Sequence, residues 1–126
     1  MIFFSAVVSP SVFASLNSKG SSKFLRTIFP RMFLFGFVIS FLAFILTFLS
    51  NDLFNSILLI IIGLSFLLNR NYLTPLINNF RDQELEGDSK AAKNFKIMHL
   101  LSVLLFIINF FLLILVIVLN YINYNL

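Results

Sequence analysis

The chain has 126 residues, of which 60% are hydrophobic and 11% are charged, and its formal net charge is +4. This composition excludes a water-soluble globular domain, because so few charged side chains cannot cover a surface without leaving large apolar patches exposed. The lack of cysteine excludes disulfides, thiolate metal sites and thiol nucleophiles. The chain is therefore predicted to be an integral membrane protein.

The first apolar segment, residues 1–17, is short for a membrane span. As a helix, its roughly 16 apolar residues would extend about 24 Å, and Pro10 interrupts them. The first basic residue, Lys19, follows the apolar run, whereas a signal peptide has its basic residues before the apolar core. We interpret the segment as a short first span.

Three further apolar segments are long enough to cross a bilayer. Met32 to Ser50 carries no charged side chain and would form about 28 Å of helix. The next segment is uncharged from Leu53 to Asn69, and the last carries only His99. These segments predict spans at 32–50, 53–73 and 97–120.

The basic residues predict the orientation of the chain in the membrane. All nine lysines and arginines lie in or beside two connections, 18–31 and 74–96, which we call the first and second basic connections. Two spans separate these connections, so both lie on one side of the bilayer, and basic connections favour the cytoplasmic side. A four-span protein with both termini outside the cytoplasm is predicted.

The second basic connection contains signals for a further helix. Thr74 and Pro75 suit an N-cap and a first helical position, and Gly87 is a helix terminator. Asp88 or Ser89 suits the cap of a helix that leads into the last span. We therefore predict a short amphipathic helix at the membrane surface between the third and fourth spans.

Small residues predict how the spans pack. On the second span, small residues recur at i, i+4, i+7 and i+11 and form one face, which consists of Gly36, Ser40, Ala43 and Thr47. Gly63 on the third span and Ser102 on the fourth are further packing positions. The predicted fold is all-α, a polytopic membrane four-helix bundle with a short first helix.

Four segments carry a family resemblance, in the order FFSAVVSPSVFASL, FPRMFLFGFVISFLAF, NRNYLTPLINNFRD and FKIMHLLSVLL. Together they resemble the bacterial domain of unknown function family 4149, which is similar to eukaryotic transmembrane protein 205. The resemblance implies a four-span bundle in a bacterial inner membrane, without an assigned activity. Because the family begins with more apolar residues, it also implies a truncated first helix and a true start upstream of Met1.

Polar residues near the second basic connection form the candidate site. All of them are predicted to lie at the cytoplasmic interface, and they are Asn69, Arg70, Asn78, Arg81 and His99. Two positioned arginines offer donor pairs that suit phosphate or carboxylate, so the hypothesis is an anionic lipid headgroup or a small anion as ligand. The alternative is that the arginines anchor the helix ends and that His99 only packs.

The sequence favours a binding or scaffolding role over catalysis. A single histidine with no acidic residue inside a span supports neither a haem nor a hydrolytic centre, so no catalytic residue, cofactor or metal is predicted. The acidic residues of the second basic connection are interpreted as solvated, and the positive charge as topological rather than nucleic-acid binding. The alternative function is a solute or ion permease component that acts as a homo-oligomer.

Overall fold

The computed structural model describes residues 3–125, and every regular element in that range is a helix. The predicted all-α helical bundle is confirmed. The elements are a π-helical turn Phe4–Val8, α1 Ser9–Ser15, α2 Ser18–Leu49, α3 Leu53–Leu68, a second π-helical turn Asn69–Leu73, α4 Thr74–Leu85 and α5 Ser89–Asn125. Three helical stretches are long and apolar enough to cross a membrane, namely Ser18–Leu49, Leu53–Leu85 and Ser89–Asn123.

The first helix is short, as predicted. Together with its π-helical turn it covers residues 4–15, which is roughly 18 Å at ~1.5 Å per residue. It runs antiparallel to the start of α2, where the rings of Phe4 and Phe29 are 5.4 Å apart. Its backbone lies close to α2 and to no other described helix. α1 therefore lines only the basic end of α2.

Helix α2 begins within the first basic connection. The Asn17 side chain caps it by accepting a hydrogen bond from the backbone N–H of Gly20 at 2.8 Å, and the helix then continues for 32 residues through Pro30. The first basic connection is thus a helical extension of the second span, about 20 Å long at ~1.5 Å per residue. Proline in a helix interior removes one backbone hydrogen bond, yet α2 is continuous on both sides of Pro30.

The helix that contains the predicted third span does not stop at Thr74, and the predicted N-cap there is wrong. The backbone N–H of Thr74 bonds the carbonyl of Asn69, five residues earlier, and its hydroxyl donates to the same carbonyl at 2.7 Å. This wider π turn lets the helix continue through Pro75, which has no backbone N–H to donate. The predicted surface helix is present as α4, but it is continuous with α3. A similar π turn precedes Pro10 in the first helix.

Helices α2 and α3 meet along the predicted small-residue face. A Cβ atom at Gly36 would lie 3.0 Å from the ring of Phe66, and one at Gly63 would lie 3.1 Å from the Ser40 hydroxyl. Ala43 is half-buried and lies on α2 between Ser40 and Thr47. At the end of this face, the Ser56 hydroxyl donates a hydrogen bond to the Thr47 hydroxyl at 3.0 Å.

Two buried asparagines join α3 and the adjoining π turn to α5. The amide of Asn109 donates to the Ser65 hydroxyl at 3.1 Å, and the Ser102 hydroxyl donates to the amide oxygen of Asn69 at 2.6 Å. Such contacts hold helices together in lipid, where apolar burial does not. They fix α5 antiparallel to α3.

The turn before α5 is built by two residues that the sequence predicted for it. Gly87 has a φ of +101°, a left-handed conformation that glycine adopts without strain. The carboxylate of Asp88 accepts hydrogen bonds from the backbone N–H groups of Lys90 at 2.8 Å and Ala91 at 3.2 Å. Asp88 therefore caps α5, and the turn brings α4 back against it.

Candidate functional site

A cleft of about 860 Å³ opens at the basic end of the bundle. The pair α1 and α2 forms one side, and the pair α4 and α5 forms the other. The backbones of α2 and α5 do not come close to each other within the described residues. The polar residues that line the cleft are Ser9, Ser18, Ser21, Ser22, Arg26, Thr74, Asn78, Arg81, His99 and Ser102.

The polarity of the cleft changes along each long helix. On α2 the lining residues pass from Ser18 and Ser22 through Arg26 to Phe29 and Phe33. They recur every three or four positions and therefore lie on one face. On α5 the lining residues likewise change from polar to apolar, from His99 to Phe106. The cleft has a basic end towards the connections and an apolar end towards the uncharged spans.

An ion pair joins α2 and α4 at the basic end of the cleft. The Arg26 guanidinium donates two hydrogen bonds to the Asp82 carboxylate, at 3.0 Å from Nη1 and 2.5 Å from Nη2. These bonds lower the pKa of Asp82, because they favour its ionised form. Both residues lie outside the uncharged segments. The pair brings the two basic connections together at one end of the molecule.

The contribution of this ion pair to stability is expected to disappear only in acid. Because the pKa of Asp82 is lowered in the folded state, its contribution is present above the unfolded pKa of about 3.9 and is lost as the pH falls through the lower folded value. The difference in thermal unfolding midpoint between wild type and Asp82→Asn should stay constant from about pH 8 to pH 5 and shrink below about pH 4. A difference that changes between pH 8 and pH 5 would contradict this assignment. Glu86→Gln, which removes an exposed carboxylate nearby, is the control.

A stack of three side chains forms the α4 and α5 side of the cleft. The Arg81 guanidinium lies over the ring of Phe95, 5.4 Å from its centre, and the imidazole of His99 lies nearly parallel to that ring at 5.8 Å. Arg81 also donates to the carboxylate of Glu84 at 2.6 Å. The cation–π contact and the ion pair together restrict the guanidinium.

The structure brings three of the five predicted site residues into the cleft. Asn78, Arg81 and His99 line it. Asn69 is fully buried and reaches the cleft only through its hydrogen bond with Ser102, which does line it. Arg70 lies elsewhere, with its guanidinium donating to the neighbouring Asn71 side chain at 3.1 Å.

Arg26 lines the cleft but was not among the predicted site residues. It was predicted only to help orient the chain, because no local pattern distinguishes it from the other three basic residues of the first basic connection. The signal is a long-range one: an arginine in one basic connection and an acid, Asp82, in the other. The serines at the start of α2, Ser18, Ser21 and Ser22, were not predicted either. They line the cleft because the two basic connections lie side by side.

The fold and the cleft define a helical integral membrane protein with an amphipathic cleft at its basic end. The chain belongs to the family described as Domain of unknown function (DUF4149), which matches residues 1–86. Neither the curated proteins nor the solved structures give a match. The matched residues include all of α1 to α4 but not α5, so the resemblance carried by the segment FKIMHLLSVLL stays a prediction. The similarity to transmembrane protein 205 also stays a prediction.

Proposed function

We propose that the cleft binds an anionic group at the cytoplasmic face of a bacterial inner membrane, and that the protein is a binding protein rather than an enzyme. The observation that supports this is the placement of charge. Arg26 and Arg81 line the cleft, whereas their partners Asp82 and Glu84 do not. The acids therefore pair with the guanidinium groups without lining the cleft themselves.

Hydrogen-bond donors remain for a ligand. Each guanidinium has five N–H donors, of which Asp82 engages two on Arg26 and Glu84 engages one on Arg81. The amide of Asn78 and the hydroxyls of Ser18 and Ser22 lie in the same cleft. Charge-assisted bonds to phosphate or carboxylate are roughly twice as strong as neutral ones.

The orientation of the protein is part of this proposal. The ion pair between Arg26 and Asp82 joins the two basic connections, and connections rich in lysine and arginine remain in the cytoplasm. The cleft would then face the inner leaflet. The N-terminus lies outside the cytoplasm only if the first segment crosses the bilayer.

Native mass spectrometry of the protein in mild detergent tests the proposal, with phosphatidylglycerol and phosphatidylcholine as probes. Wild type should retain phosphatidylglycerol selectively. Arg26→Gln and Arg81→Gln should each weaken its retention by at least about 10-fold, since one charge-assisted hydrogen bond contributes roughly 1.5–3 kcal/mol.

Asp82→Asn is the matched control. It breaks the same ion pair as Arg26→Gln but leaves the guanidinium in place, so it should retain at least as much lipid as wild type. Lys90→Gln removes an exposed cation outside the cleft and should change nothing. Equal retention of the two lipids, or equal loss in Lys90→Gln, would overturn the proposal. Solute uptake into protein-containing vesicles without lipid selectivity would favour the permease alternative.

A further inference from the structure

We propose that the ligand is a membrane lipid with an anionic head, and that one of its acyl chains occupies the apolar end of the cleft after passing sideways between α1 and α5. This inference rests on the proposed function and specifies the ligand class. It follows from three features of the cleft: a lateral opening, an apolar end, and their order relative to the basic end.

The lateral opening lies between the first and last helices. Residues of α1, such as Ser9 and Phe13, line the cleft, as do His99 and Val103 of α5. The backbones of these two helices nevertheless do not come close to each other. Because α1 packs on α2 alone, no backbone contact among the described residues joins α1 to α5 on this side. Phe13 and Val103, which flank the opening, are both exposed.

The apolar end of the cleft is surrounded by aromatic rings. Phe4, Phe29 and Phe33 follow one another at ring distances of 5.4 and 6.2 Å, and Phe106 faces them from α5. A hydrated anion gains nothing from such a surface, whereas a hydrocarbon chain loses contact with water by burying against it. The lining therefore favours a ligand with an apolar tail.

The two ends are ordered as in a membrane lipid. The basic end lies beside the connections, at the level of Arg26, Arg81 and His99, where the headgroups of a leaflet lie. The apolar end lies about two helical turns further, where the uncharged part of α2 begins at Met32. A lipid can therefore dock without being turned over.

Photocrosslinking tests this inference. The probe is a phosphatidylglycerol that carries a diazirine in the middle of one acyl chain, added to membranes that contain the protein. Crosslinks should map to the peptides around Phe29 to Phe33 and Val103 to Phe106. Unlabelled phosphatidylglycerol or palmitate should reduce them at least 5-fold, and the more effective competitor distinguishes a phospholipid from a free fatty acid as the source. Glycerol phosphate, which has the headgroup charge but no chain, should not compete.

A pair of tryptophan variants locates the chain. Val103→Trp fills the cleft and should reduce the competable crosslink at least 5-fold, whereas Val118→Trp places the same bulk on an exposed part of α5 outside the cleft and should leave it unchanged. If Val103→Trp does not fold, the map of the wild-type crosslinks decides alone.

The outcomes separate the two proposals. Competition by glycerol phosphate as strong as that by the lipid would overturn the acyl-chain inference but would leave anion binding in place. Crosslinks spread evenly over the lipid-facing sides of α2 and α5 would also overturn it. Both proposals fail if, in addition, Arg26→Gln and Arg81→Gln retain phosphatidylglycerol as wild type does.

Discussion

Replacing Gly36 by leucine is expected to lower the free energy of unfolding by about 1–3 kcal/mol, the usual cost of overpacking a well-filled interior. A Cβ atom alone would already lie 3.0 Å from the Phe66 ring. That ring is 3% exposed and belongs to the buried cluster with Phe33 and Ile62, so it has little room to move. The measurement is the thermal unfolding midpoint in mild detergent.

Two further variants test whether the loss of stability depends on the size and the position of the added side chain. Gly36→Ala adds only the Cβ atom and should have a smaller effect than Gly36→Leu. Val38→Leu enlarges an exposed residue of the same helix and should behave as wild type. An unchanged midpoint for Gly36→Leu would mean that α2 and α3 do not pack through this face.

Removing the Ser102 hydroxyl is expected to destabilise the bundle more than replacing its partner. Ser102→Ala leaves the amide oxygen of Asn69 fully buried without the donor that now lies at 2.6 Å. An orphaned buried polar group costs about 1–3 kcal/mol. Asn69→Leu instead leaves a serine hydroxyl, which can turn to a backbone carbonyl of its own helix or to the cleft. Ser102→Ala should therefore have the lower unfolding midpoint.

A double-mutant cycle measures the coupling between these two residues. Interhelical hydrogen bonds in membrane proteins contribute on average about 0.6 kcal/mol and at most about 1.7 kcal/mol, and the coupling should fall in that range. Ser11→Ala removes an exposed hydroxyl that bonds only within the first helix and is the control. Additive effects of the two single variants would show that the contact carries no coupling.

The sequence predicts the parts of this fold that depend on local periodicity. Gly36, Ser40 and Thr47 recur at helical spacing, and in the structure that face meets α3. The family resemblance to the domain of unknown function is confirmed over residues 1–86. The shortness of the first helix also follows directly from the length of its apolar run.

Other features depend on contacts that no local pattern contains. The π turn before Pro75 shifts the backbone hydrogen bonds by one residue and keeps the helix continuous. The sequence does not predict this turn, because threonine followed by proline is equally typical of the start of a new helix. The pairing of Arg26 with Asp82 joins residues 56 positions apart. For that reason the cleft was only partly predicted: Arg81 and His99 were recognised together, but the α2 side was not.

The short first helix also gives the molecule a wedge shape. Because α1 packs only beside the basic end of α2, residues 3–125 form four helices across at that end and three at the other. A body that is wider in one leaflet fits best where that leaflet is expanded, and helices at the membrane surface are known to sense curvature in this way. We therefore expect this protein to prefer a bilayer that is convex on the side of its basic end.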